Sequence, residues 1–265
     1  MRYSSIFWGI ALVLIGGLFL LNSLDIIHFN LWNILWPLFL IALGLFIVLG
    51  RTYGPRSLDA ESASMLLESA SRATVRVRYG AGRLQLGSGA SLGSLFSGTF
   101  VGGVARRSSW NGDAINVELS IPSPLPVIPF PFMWGRGLDW TLNLTDQIPL
   151  VLDIATGASD NQIDLAALRV TDFKLSTGAS ATAVTFPSNA GMVRGKIESG
   201  AASVSVRIPQ GVAGRIRFDG ALSGITVDRA RFPRQEGVYE SPDFATAVNK
   251  VDLKIEVGVG SVDVR

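Results

Sequence analysis

The sequence predicts a two-helix transmembrane hairpin followed by an all-β domain, most simply a right-handed β-solenoid. Three observations carry this expectation. Two long uncharged apolar runs open the chain. Beyond residue 74, apolar and polar residues alternate with a period of two, as in half-buried strands. A Gly-Ala pair then recurs at intervals of 21, 22 and 20 residues, at Gly157, Gly178, Gly200 and Gly220. The alternative all-β arrangement is a β-sandwich built from similar hairpins.

The hairpin occupies residues 1–50. Its spans, residues 6–24 and 31–50, contain no charged side chain. Each is long enough, at about 1.5 Å rise per residue, to cross a hydrocarbon core of about 30 Å. The six-residue loop Asp25 to Asn30 makes the two helices antiparallel neighbours. Gly16, Gly17, Ala42 and Gly44 are candidate helix-packing residues, because small side chains let backbones approach closely in lipid. Trp8, Trp32 and Trp36 suit the interfacial aromatic belt, and Pro37 sits early in the second span. No small-residue cleavage site follows the first apolar run, so it reads as an anchor rather than a removed signal peptide. Arg2, Arg51 and Arg56 flank the spans, whereas the connecting loop carries Asp25 and no Lys or Arg. The positive-inside rule therefore places both termini and the β-domain in the cytoplasm of a multi-pass protein of the cell membrane. His28, in the loop, reads as a headgroup-level polar residue.

Residues 51–73 read as a linker with a short helix over Ser57 to Ser71. The solenoid domain is expected over 74–265. Ile154, Leu175, Ile197 and Ile255 form its expected inward row, followed by Ile163, Val184, Val206 and Val264 on the next stretch of strand. An early copy with the same spacing surrounds Gly80, and a last one surrounds Gly258. Such a unit cannot bury its apolar face alone, and stacking copies does so. The long interval from Gly220 to Gly258 implies an insert, 229–249, read as a loop excursion. Residues 121–134 (IPSPLPVIPFPFMW) carry five prolines and cannot join a sheet centrally. Phe130, Phe132, Met133 and Trp134 make this loop either a cap over an open solenoid end or a contact for a partner or membrane face.

Composition restricts the chemistry. The chain has 265 residues, no Cys, one His and a formal charge of +2. That removes disulfides, thiolate metal sites and cysteine nucleophiles, and leaves little scope for a His-based relay. It also lacks the basic field of a nucleic-acid binder. Asp153, Asp160, Asp164 and Asp172 cluster in the first full repeat, but alternation turns them to the solvated face rather than into a glycosidase cleft. The GxG strings open no helix, which excludes a dinucleotide fingerprint. A non-enzymatic protein without a cofactor is the expectation, with the lipid bilayer and a second protein as partners. A homo-oligomer is compatible with it.

Trp8-Gly9 and Leu31-Trp32-Asn33-Ile34-Leu35-Trp36-Pro37-Leu38 resemble the transmembrane module of LiaF-type proteins. The stretch Asp139-Trp140-Thr141-Leu142-Asn143-Leu144 through Ile148-Pro149-Leu150, with Thr156-Gly157-Ala158 and Thr177-Gly178-Ala179, resembles the bacterial toast-rack and LiaF-like C-terminal families, themselves similar to candidate adhesin domains. The resemblance implies a bacterial membrane protein with a β-solenoid. It further implies a role in envelope-stress sensing or regulation, exercised on a membrane histidine kinase or another membrane protein. The alternative it leaves is a surface-displayed, adhesin-like or wall-binding domain.

Overall fold

The structure is a computed structural model that describes residues 36–37, 40–41, 60–122 and 138–265. The chain divides into two compact units, Met1–Ser57 and Leu58–Arg265. In the first, Trp36, Pro37, Leu40 and Ile41 are helical. Gly16, Gly17, His28, Ala42 and Gly44 lie outside the described residues, and so do Phe130, Phe132, Met133 and Trp134.

The second unit is all-β among its described residues. Its strands are β1 (Ala60–Leu66), β2 (Arg72–Ser88), β3 (Ser94–Val101), β4 (Ala105–Asn111), β5 (Ala114–Ser120), β6 (Leu138–Leu144) and β7 (Leu150–Asp164). They continue as β8 (Val170–Thr185), β9 (Met192–Arg207), β10 (Ala213–Val227), β11 (Arg234–Gln235), β12 (Val238–Glu240) and β13 (Lys250–Val264). All thirteen join one mixed sheet. Its body is a parallel ladder in the order β2-β7-β8-β9-β13-β10, with antiparallel pairs only toward its two ends.

The ladder forces the long strands to bend. β7 and β8 pair in parallel from Leu150↔Val170 to Asp164↔Thr185, yet only Leu165 to Arg169 connect them. Five residues reach roughly 18 Å at most, whereas a straight strand of fifteen would run about 50 Å. β7 must therefore double back within its own length, and its inside-outside alternation shows where. Leu150, Leu152, Ile154 and Thr156 face inward, then Ser159, Asn161 and Ile163 do, so the alternation slips at Gly157-Ala158.

Glycine makes that corner possible. Gly80, Gly157, Gly178, Gly200 and Gly258 occupy one row across five strands. A Cβ on Gly157 would lie 2.4 Å from the Gly80 carbonyl oxygen, and one on Gly258 would lie 2.7 Å from that of Gly200. At these two positions the backbones are packed too closely for a side chain.

Both inward rows expected from the repeat are present in register. Ile154, Leu175, Ile197 and Ile255 are neighbours across β7, β8, β9 and β13, as are Ile163, Val184, Val206 and Val264. All eight are buried. Nearer the corner the interior turns polar: Ser159 Oγ donates to Thr156 Oγ1 at 2.9 Å, and Asn161 Nδ2 donates to Thr182 Oγ1 at 3.0 Å, while the buried Asn161 Oδ1 has no hydrogen-bond partner.

Two expectations require correction. The short helix over Ser57 to Ser71 is not found: residues 60–66 form β1, antiparallel to β3, and β2 already begins at Arg72. Ala63, Met65 and Leu67 turn toward the core with a period of two, and pairing with β3 overrides the helix-forming run Met65-Leu66-Leu67. The insert 229–249 is not wholly loop, since β12 pairs with β10 and β11 pairs with β12. The long strands do not stack in chain order. β13 lies between β9 and β10, and Ala221, not Gly220, falls opposite Gly258.

The two ends of the ladder are finished differently. At the β2 end, β5 and β4 extend one arm of the bend while β6, β3 and β1 extend the other. Arg106 Nη1 donates to the Ser64 carbonyl and Glu61 accepts from the Val104 N–H, tying β4 to β1. Beneath β6, Trp140 packs edge-on against Phe100 at 5.0 Å and tilted against Tyr79 at 5.1 Å. The Tyr79 hydroxyl donates to the Leu138 carbonyl. At the β10 end, Phe232 and the short strands cover only the first arm.

Candidate interaction surface

On the outer face of the first arms, the ladder converts sequence-distant charges into stripes. Asp153, Lys174, Lys196, Lys254 and Arg217 are direct cross-strand neighbours along one row. Two residues further along each strand lies a second row of Ser176, Glu198, Glu256 and Asp219. Four cations about 4.8 Å apart repel one another, and the carboxylate row offsets that repulsion.

Lys196 Nζ is 2.5 Å from Glu198 and 3.5 Å from Glu256, Lys174 reaches Glu198 at 3.5 Å, and Lys254 reaches Glu256 at 2.5 Å. Hydrogen bonds from Lys196 and then Ser176 bring the Glu198 carboxyl down to about 2. The hydrogen bond from Lys254 lowers Glu256, and the bond to Glu198 raises Lys196. Where the ladder meets β2, Arg78 grips Asp153 through both carboxylate oxygens, at 3.0 and 3.2 Å, with Arg76 at 3.9 Å. The result is a solvent-exposed surface of alternating sign laid out along the ladder. It can select a partner by charge pattern.

The outer face of the second arms is different. Gln85, Thr141, Asn143, Gln162 and Asp164, with Leu86 and Ile163, line a shallow depression of about 450 Å³. The four aspartates singled out by the sequence do not converge on a cleft: Asp153 is held by arginines, Asp160 pairs with Arg83 at 3.8 Å, Asp164 accepts from the Ala166 N–H, and Asp172 pairs with Arg194 at 3.8 Å. Among the described residues, no group of three or more His, Cys, Asp or Glu side chains is placed to hold a metal ion. The candidate contacts expected from the sequence, Gly16, Gly17, Ala42, Gly44 and the aromatic loop residues, are outside this description. The charge stripes were not anticipated. Their signal was the repetition of charge at the repeat interval, Lys174 with Lys196, which becomes meaningful only once the register is known.

Residues 6–48 match the LiaI-LiaF-like transmembrane region, which associates the chain with a membrane. No curated protein matches it. Among solved structures, a candidate cell adhesion protein from Clostridium sporogenes ATCC 15579 is similar, at TM-score 0.71 and 17% identity, over 78% of this chain and 98% of that one. At that identity the likeness concerns the fold. A candidate adhesin from Bacteroides fragilis NCTC 9343 matches over 79% of this chain and 98% of its own at 8% identity, and its TM-score of 0.24 carries no argument. The remaining match runs over residues 54–207, more than half of the chain, to the family described as the N-terminal domain of toast_rack, DUF2154, and the chain belongs to that family.

Proposed function

We propose that this protein is a non-enzymatic, membrane-anchored interaction protein of the bacterial envelope, acting in stress sensing or its regulation. The observation that carries this reading is the union in one chain of a LiaI-LiaF-like transmembrane region and a toast_rack domain. On this reading residues 6–24 and 31–50 form a multi-pass hairpin whose Gly16, Gly17, Ala42 and Gly44 face packs against another membrane protein, a histidine kinase being the first candidate. The bent strands are the coils of a right-handed solenoid, with both termini and the solenoid in the cytoplasm. Their charge-striped face offers the partner a rigid template.

The absence of cysteine makes the decisive experiment clean. Single cysteines are placed at Asn30 and, in a separate variant, at Ser188, which is exposed in the link between β8 and β9. Intact cells are treated with a membrane-impermeant maleimide. Labelling at Asn30, with Ser188 labelled only after lysis, is expected. Replacing Gly16 and Gly17 by Leu should then abolish the envelope-stress response while the protein still inserts. Labelling of Ser188 in intact cells would sink the regulatory reading. It would favour a surface-displayed adhesin-like or wall-binding role, the reading suggested by the similar structure from Clostridium sporogenes. In that case the loop carrying Phe130, Phe132, Met133 and Trp134 becomes the first contact to mutate.

A further inference from the structure

The second arm of β10 ends the ladder without a covering strand. β12 pairs with Arg215 and Ile216 alone, so from Arg217 to Val227 no described strand lies on the outer side of β10. Alternate residues of a strand aim their N–H and C=O groups at opposite neighbours. Asp228 donates its N–H to the Val264 carbonyl. Hence Thr226 and Gly224 also face β13, while Ser223, Ile225 and Val227 turn their backbone groups outward.

The arm has none of the usual edge protection. Gly220 to Val227 (GALSGITV) contains no Lys, Arg or Pro and no charge at all. Leu222 is 79% exposed, its neighbour Val259 is 52% exposed, and Ile225 is half-buried where the interior of the last coil lies open.

The arm is also complementary to itself. Asp219 precedes it and Arg229 follows it, both exposed and neither in an ion pair among the described residues. An antiparallel copy related by a twofold axis through Gly224 sets Ser223 opposite Ile225 and Ala221 opposite Val227. The outward backbone groups then meet as hydrogen-bonded pairs. The same axis brings the acidic end of each arm to the basic end of the other. A twofold contact of this kind is closed, so it stops at two copies. Attachment to a membrane concentrates copies in one plane, which favours it further.

We infer that the β10 edge, residues 219–229, is a homodimer interface in which two copies join their sheets antiparallel about Gly224.

The twofold axis makes its own test. In a non-hydrogen-bonded antiparallel pair the Cα atoms lie about 4.5 Å apart, inside the disulfide range of about 4.4–6.8 Å. A Cβ on Gly224 meets nothing within 4 Å. Full-length Gly224→Cys in native membranes should therefore give a covalent dimer under mild oxidation, whereas Ala183→Cys, on the outer face of β8, should not. Adding Asp219→Arg should reduce the dimer several-fold, and adding Arg229→Asp to that variant should restore it. No dimer from Gly224→Cys, equal dimer from Ala183→Cys, or indifference to Asp219→Arg would each overturn the assignment.

Discussion

At the scale of single residues, the corner glycines are the most demanding positions in the domain. At Gly157, Gly178, Gly200 and Gly258 the neighbouring rung brings a backbone carbonyl to where a Cβ would sit, most closely at Gly157 and Gly258. Gly258→Ala should therefore cost about 1–3 kcal/mol, the usual range for overpacking. Thermal unfolding should show a Tm several degrees lower. An unchanged Tm would mean that the bend relaxes without cost. By contrast, Gly224→Ala, which meets no atom, should leave Tm nearly unchanged.

Glu198 gives a pH signature at the same scale. Its folded pKa lies below the ordinary carboxylate value of 4.5, at about 2, because Lys196 and Ser176 hydrogen-bond to its ionised form. A depressed carboxyl contributes stability that is fully present above the unfolded pKa and is lost as pH falls through the folded one. Wild-type Tm should accordingly fall between pH 4.5 and 2 by more than that of Glu198→Gln. Equal slopes would show that solvent screening cancels the pairing. The exposure of these side chains keeps the expected difference small.

At the scale of elements, the two finishing devices differ in strength. Phe232 is fully buried, and a Cβ on Gly214 would lie 2.7 Å from its ring. Removing that ring uncovers the first-arm interior of β10, so Phe232→Ala should destabilise by about 3–5 kcal/mol. Denaturant unfolding measures this directly, and a loss under 1 kcal/mol would show that the insert is not a structural cap. Arg231 assists by donating to the Ile208 and Pro209 carbonyls at 2.8 and 3.0 Å, which stitches the insert to the β9–β10 link. β1 is the counterpart at the other end. The run Met65-Leu66-Leu67 at its end favours a helix locally, but a helix there would leave the outer edge of β3 unpaired.

At the scale of the β-domain, stability should be graded along the ladder, because each long strand contacts chiefly its neighbours. Amides of β7, β8 and β9, which have a paired strand on each side, should be the slowest to exchange with solvent. Those of Ser223, Ile225 and Val227 should be the fastest within the long strands when the protein is monomeric. Hydrogen exchange followed by mass spectrometry measures the gradient. Uniform protection in dilute detergent-solubilised protein would contradict the open edge.

The sequence alone determined the all-β class, the bend glycines and the two inward apolar rows. These features repeat along the chain at a near-constant interval, and a period survives without knowledge of what pairs with what. It also carried the resemblance to the toast_rack and LiaF-like families, through short local motifs. Only the tertiary structure decided three other matters. β13 enters the ladder between β9 and β10, and no local propensity in Lys250–Val264 encodes which edge it joins. Ser57 to Ser71 offered a helix by composition, yet most of it is drawn into a strand and turn by the free edge of β3. The charge stripes and the bare edge of β10 are properties of register. Lys196 and Lys254 acquire their meaning from neighbours far away in sequence, because in a parallel ladder hydrogen bonding between strands, rather than distance along the chain, sets which side chains meet.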